Sequence, residues 1–252
     1  GGPSGGVASG GGLSLFAVRG GASGLERTAL TTMDQTRRQA RLVFSATPAQ
    51  LVGLPGEAGP GLERTLQLAA VALAAEQVGG AQRCLEMAVD YAQARVQFGR
   101  PIGSFQAVKH RLAEMLVEVE QARSAAYMAG WVAAAVGERG WASADAEPSG
   151  SGGSGGSGGS NGLSEGGGAV AEPGRWNGLR EGRGLALLAS VAKAYCSDAY
   201  FHAAEGCIQV HGGIGFTWEH DAHLYFKRAK SSQLALGDPT YHRELVASSI
   251  GL

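Results

Sequence analysis

The sequence predicts a mainly α fold, a helical bundle of the four-helix type with a small antiparallel β appendage at its N-terminal side. Three observations lead there. Two long stretches repeat apolar residues at three- and four-residue steps, and a third such stretch resumes late in the chain and needs partners to cover its apolar side. Before them, short runs rich in Leu, Val and Phe alternate with Gly-rich or polar turns, the pattern of short strands rather than helices.

In chain order, LSLFAVRG (13–20), LERTAL (25–30) and ARLVFSAT (40–47) read as three strands of one antiparallel unit. Three strands need a covered face, so residues 1–55 read as the remnant or edge of a larger β domain. From there to the end, 56–252, the chain reads as one helical domain. Its first long helix carries Leu62, Leu66, Ala69, Leu73, Gly80, Cys84, Met87 and Tyr91 at helical spacing, and its second carries Phe105, Val108, Leu112, Met115, Val119 and Ala122. Residues 137–182 interrupt this with a Gly/Ser tract that buries too little apolar surface to offset its ordering entropy. The tract is expected to be a flexible insertion between packed helices; a linker between independent domains is the competing reading. The amphipathic stretch LALLASVAKAYCSDAYFHAAEGCIQV follows, and two shorter helices, the second opening on Pro239, finish the chain.

The bulk numbers exclude more than they assign. With 252 residues and 44% hydrophobic content, the chain supports a real core, and its net charge of −1 gives no reason to expect nucleic acid or an anionic membrane as partner. No apolar run reaches the roughly 20 residues needed to span a bilayer, and the start is Gly- and Ser-rich instead of basic then apolar. Cys84, Cys196 and Cys207 are odd in number and lack CxxC spacing, which reads as reduced thiols in a cytoplasmic protein. The chain opens on Gly1 without methionine and passes into a strand-like segment, as a piece of a longer protein would.

The densest cluster of chemistry-bearing residues is IQVHGGIGFTWEHDAHLYFKRAK (208–230). Gly212, Gly213 and Gly215 follow a helix rather than a strand and lack GxGxxG spacing, so a dinucleotide fingerprint is excluded; a left-handed helix cap and a functional loop both stay open. Glu219, His220, Asp221 and His223 lack the HExxH spacing that sets two imidazoles on one helical face, and no metal is expected. Arg95 closes the first long helix ahead of a Gly-Arg-Pro turn, where an arginine complements the helix dipole, pairs with a surface acid or meets a ligand.

Taken together, DYAQARVQFGRPIGSFQAVKHRLAEM and CIQVHGGIGFTWEHDAHLYFKRAK resemble the C-terminal half of acyl-CoA dehydrogenases, particularly the actinobacterial type. The first resembles the family's R-x-x-F-G-x-x-[IL]…Q-A segment and the second its Q-x-x-G-G-x-G-[FY] segment; upstream, LFAVRGGASGLERTALTTMDQTRRQARLVFSATPAQLVG looks like the end of its middle β domain. The resemblance implies an FAD-dependent oxidation that sets a double bond between the α and β carbons of an acyl-CoA, of a fatty acid or a steroid side chain. In that chemistry a base takes the α proton and a hydride passes to the flavin. It implies that Arg95 meets the FAD pyrophosphate with Phe98 and Gln106 in the same wall, and that Gln209, Gly212 and Gly213 line the ADP half, typically of a neighbouring subunit. It further implies a homo- or hetero-oligomer and an electron-transfer flavoprotein as acceptor. Where the family carries its glutamate base, this chain has Leu236; at the alternative position it has Ala69, with Ala70 where an arginine is usual. Glu76, Glu219 and Asp238 are nearby acids for which surface or capping roles are the ordinary reading. A base-deficient subunit of a heteromeric dehydrogenase is therefore expected, with a non-catalytic subunit of the same fold or an acyl-CoA oxidase as alternatives.

Overall fold

A computed structural model describes residues 12–144 and 183–252. Its β part consists of β1 (Leu15–Ala17), β2 (Leu25–Leu30), β3 (Gln39–Phe44) and β4 (Gln50–Val52). These form two separate antiparallel ladders, β1 with β4 and β2 with β3, in place of the single three-stranded unit expected. The strand that sequence missed, QLV, is too short to show alternation, and pairing with β1 gives it its hydrogen bonds. Both ladders leave Phe16, Leu42 and Phe44 exposed, as strands do when the face that should cover them is elsewhere.

The helical part comprises α1 (Gly59–Ala94), α2 (Gln106–Ala144), α3 (Arg183–His211), α4 (Ala222–Leu234) and α5 (Pro239–Ser249). Between α1 and α2 lies a tight hairpin, β5 (Val96–Gln97) and β6 (Arg100–Pro101), followed by a 3-10 turn at Ile102–Ser104. Helix α2 extends to Ala144, into the segment assigned to the insertion from sequence. GERGWASA holds no proline, and glycines at 137 and 140 each weaken a helix by about 1 kcal/mol without ending it. The rest of the Gly/Ser tract lies outside the described residues.

Each long helix presents a buried seam at alternating three- and four-residue steps. Examples are Ala70, Ala74, Gln77, Ala81, Cys84 and Ala88 on α1, Met115, Val119, Ala122, Ala126 and Ala129 on α2, and Leu185, Ala189, Ala192, Cys196, Ala199 and Ala203 on α3. That step pattern is the packing geometry of left-handed helix pairs, and its alanines let the backbones approach closely. At Gly80 the approach is closest: a Cβ there would lie 2.4 Å from Cζ of the buried Tyr200. The α1 stripe read from sequence is turned slightly from the true seam, because it followed large side chains; Leu62 and Leu66 are exposed and the core uses small ones.

Cross-links set the directions. Gln77 bonds Ser197, and Tyr91 stacks on His211, so α1 and α3 run parallel. The Cys196 thiol donates to the Ala122 carbonyl, and Met115 lies against Gly206, so α2 runs antiparallel to α3. Helices α4 and α5 follow one another along α3. The β2–β3 connection docks on this bundle through charge: Arg228 of α4 reaches the buried Asp34 carboxylate (2.8 Å) and Glu76 of α1 (2.9 Å), while Arg37 reaches Glu76 (2.6 Å).

Candidate functional site

A cleft of about 590 Å³ opens where the starts of α1 and α3 meet α5 and the α4–α5 turn. From α1 it takes Glu63, Leu66, Gln67 and Ala70, one helical face at steps of three and four; from α3, Ala186, Ala189 and Ser190. Leu236, Gly237, Tyr241, His242 and Leu245 close it. The walls are chiefly apolar, which explains why Leu66 and Leu245 stay outside the bundle seam. The cleft brings together the two neighbourhoods in which a base was sought, since Leu236 and Ala70 both line it; Ala69 is half-buried beside it and does not. Among its described lining residues the only carboxylate is Glu63, bonded to Gln67 of the next turn (3.3 Å). Sequence reasoning missed Glu63, although its position seven residues before Ala70 was a legible signal.

The turn that carries Leu236 is held from below. Lys193, fully buried on α3, donates to Ser197 Oγ (2.9 Å), the Gln233 carbonyl (3.1 Å) and the Gly237 carbonyl (2.9 Å). Burial pulls its ammonium down to about 8, against the pull of Asp238 and Asp198. His242 Nε2 donates to the Leu236 carbonyl (2.9 Å), and burial also lowers this imidazole, so it is neutral at pH 7. Between these bonds Leu236 takes a left-handed backbone (φ 60°), a conformation that costs a branched side chain about 1–2 kcal/mol.

Every residue assigned from sequence to a cofactor wall is exposed, and all six lie at the opposite end of the bundle. Arg95 ends α1, its N–H bonded to the Tyr91 carbonyl (2.8 Å) and its carbonyl to the Ile102 N–H (2.8 Å), while no described residue pairs with its guanidinium. Phe98 sits at the hairpin tip, 92% exposed with φ 52°, and Gln106 starts α2. Gln209 lies in the last turn of α3; Gly212 and Gly213 begin the 3-10 turn Gly212–Phe216 that follows it. The Tyr91–His211 stack, 4.4 Å between centroids, ties the two groups to one end. Gly212 has φ 62°, so a left-handed helix end requires it. Gly213 has no positive φ, and no described atom lies within 4 Å of an added Cβ, so no described residue explains its missing side chain. Open backbone and a guanidinium without a described partner, at the same end of the bundle, suit the close approach of a phosphate-bearing ligand. By contrast, an added Cβ at Gly215 would meet Ile208 and His211 at 3.1 Å, a packing reason.

The remaining candidates resolve into structural roles. Glu76 is the ion-pair hub described above, Asp238 caps α5 by accepting the Tyr241 N–H (2.8 Å), and Glu219 is exposed. His220 lies tilted against His211 and His223 lies against Trp218; among the described residues no cluster of three His, Cys, Asp or Glu side chains is placed to hold a metal. All three cysteines are buried thiols. No described helix is long and apolar enough to cross a membrane.

Comparison with known proteins agrees with this architecture. The acyl-CoA dehydrogenase C-terminal domain matches residues 61–147 and 176–251. The acyl-CoA dehydrogenase IpdE2 of Mycobacterium tuberculosis is 39% identical over 210 residues, 83% of this chain and 47% of that protein. Among solved structures, a Tcur3481–Tcur3483 steroid ACAD variant superposes with TM-score 0.66 at 27% identity, covering 94% of this chain and 51% of that one. Butyryl-CoA dehydrogenase of Megasphaera elsdenii has the same fold, with TM-score 0.71 at 22% identity over 95% of this chain and 52% of that one. The chain thus spans about half the length of these relatives. It belongs to the acyl-CoA dehydrogenase family and represents that family's C-terminal helical domain, preceded by a short β segment.

Proposed function

We propose that this chain is part of an FAD-dependent acyl-CoA dehydrogenase subunit that lacks its own proton acceptor and lends cofactor-binding surface to a heteromeric enzyme. The observation that carries this reading is the cleft itself: Leu236 lines it at the position where the family carries its glutamate, Ala69 at the alternative position is half-buried beside it, and neither side chain can take a proton. FAD, when bound, supplies hydride acceptance from the β carbon of an acyl-CoA thioester. This chain's part is binding: the Arg95 guanidinium offers a fork to the pyrophosphate, Phe98 and Gln106 extend the wall, and Gln209, Gly212 and Gly213 admit the ADP half.

Geometry supports sharing between subunits. Leu66 in the cleft lies on α1 and Arg95 in the wall caps its far end, about 40 Å away at 1.5 Å per residue, a distance longer than a dinucleotide. One copy therefore offers its cleft to one site and its wall to another. The related steroid ACAD is named as a pair of chains, which suits a hetero-oligomer, homo-oligomers being the other arrangement. In the same reading, residues 1–55 are the edge of a middle β domain, 56–252 are the bundle with its insertion, the protein is cytoplasmic and an electron-transfer flavoprotein takes the electrons.

The test is purification of the full-length protein alone and together with a glutamate-bearing homologous subunit. Yellow colour in the complex, with turnover of acyl-CoA only in the mixture, is expected. Full turnover by the isolated homomer sinks the base-deficient assignment, and a complex that stays colourless after FAD reconstitution sinks the flavin assignment.

A further inference from the structure

We propose that Lys193 is a positioning residue of the cleft: its ammonium fixes the carbonyl frame of the α4–α5 turn and so sets how the side chain at position 236 meets a ligand. The inference rests on reading the cleft as the acyl-thioester end of the site, and it concerns a residue that touches no ligand itself.

A buried ammonium is an expensive way to fill space. Taking it out of water costs several kcal/mol unless each of its protons is matched, and a methionine would occupy the same volume without that cost. Lys193 has its three protons matched one by one, to Ser197 Oγ, Gln233 O and Gly237 O, and Ser197 is itself fixed by Gln77 Nε2 of α1 (3.0 Å). No described carboxylate pairs with it directly: one Asp238 oxygen caps α5, and Asp198 is engaged by Gln233 Nε2 (3.1 Å) and by Arg243. What the charge provides is direction. Gln233 O is among the carbonyls that the end of α4 leaves without a helical partner, and a cation at a helix C-terminus also meets the negative end of its dipole.

The second bond reaches past the helix to Gly237, and His242 holds the carbonyl between them, on Leu236. Three carbonyls within five residues are thus gripped by side chains of α3 and α5. A surface turn needs no such grip. A non-glycine residue with φ 60° persists only where its surroundings over-determine it, and here the over-determined residue faces the cleft. The frame is kept although the residue it presents is leucine.

The test uses the full-length protein with Lys193→Met and follows amide hydrogen exchange by mass spectrometry. The groups facing Lys193 are Cys196 and Asp198 on α3, Asp238 in the turn and His242 on α5. With Lys193 exchanged, protection across 232–242 is expected to fall about tenfold while α1 and α2 keep wild-type rates. Lys193→Gln retains two donors and restores part of the protection; it also serves if the methionine variant does not fold. Uniform acceleration over the whole bundle overturns the proposal. A second arm places a carboxylate on the frame: FAD-loaded Leu236→Glu is expected to exchange the α protons of butyryl-CoA for deuterium, and adding Lys193→Met to cut that gain at least tenfold. An undiminished gain overturns the positioning role. No gain in Leu236→Glu, with the exchange step intact, overturns the reading of the cleft and leaves the grip on the turn standing.

Discussion

At the scale of single residues, what this chain withholds is as informative as what it presents. Arg95 is an exposed guanidinium at a helix end with no described partner, and Gly213, at the same end of the bundle, is a glycine whose bareness no described residue requires. A charged hydrogen bond to phosphate contributes about 1.5–3 kcal/mol, so Arg95→Ala should weaken FAD retention in the assembled enzyme roughly ten- to hundredfold. Because the side chain supports nothing within its own chain, the melting temperature of the FAD-free protein should stay unchanged; equilibrium dialysis and a melting curve measure both. A melting temperature that falls with unchanged FAD affinity would show a capping role instead. The cysteines make the opposite case. Cys84, Cys196 and Cys207 are at most 1% exposed, and burial pushes Cys196 up to about 12. Burial keeps all three out of reach of reagent, so Ellman's reagent should titrate none in the native protein and three after denaturation.

At the scale of elements, close helix contact is the device that makes an alanine-rich bundle hold together. Gly80 is its tightest point: a methyl group there would overlap the ring of Tyr200, which is 1% exposed. Gly80→Ala should lower unfolding free energy by about 1–3 kcal/mol, as overpacked cores do, and Gly80→Ala with Tyr200→Leu should lose less than the sum of the two single changes. Urea unfolding of the four proteins checks this; strict additivity would show that the ring is not what the glycine accommodates. The same contact explains what sequence left hidden. Helix existence was legible, since Met115, Val119 and Ala122 recur at the right steps and do lie in the core. Seam rotation was not, because hydrophobic pattern weighs Leu62 and Leu66 above Ala70 and Ala74, while here alanines face inward and the leucines face outward, Leu66 into the cleft. The β register was hidden for a related reason: β4 has three residues, and only its ladder with β1 identifies it. For the site, the motif residues were legible as a set, but Lys193, Glu63 and His242 join Leu236 only through tertiary contact, and LLASVAK reads as ordinary helix.

For the molecule as a whole, buried bases set the response to pH. His211 is 4% exposed, donates Nδ1–H to the Cys207 carbonyl (2.8 Å) and lies between the rings of Tyr91 and His220. His242 is 5% exposed, and its Nδ1 has no partner, so a proton added there is buried near the Lys193 ammonium. Burial lowers both imidazoles from the ordinary 6.5, with the neighbouring His220 adding to the effect on His211 and Lys193 to that on His242. The sign follows directly. Below about pH 6.5 the unfolded chain binds these protons and the folded chain resists them, so their contribution is fully present above that pH and is lost as pH falls through the lowered folded values. Lys193 acts in the same sense at the alkaline end: its ordinary 10.5 falls to about 8 in the fold, so the penalty of burying its charge fades as pH rises from 8 toward 10.5. Stability should therefore decline on acidification from pH 7.5 to 5.5, read as a falling urea midpoint. His242→Gln keeps a donor for the Leu236 carbonyl but cannot bind the extra proton, so its midpoint should decline less steeply over the same window. Parallel curves for the two proteins would mean that His242 does not carry its share, and a wild-type midpoint that holds level or rises toward pH 5.5 would mean that these imidazoles are reached by water in the folded state.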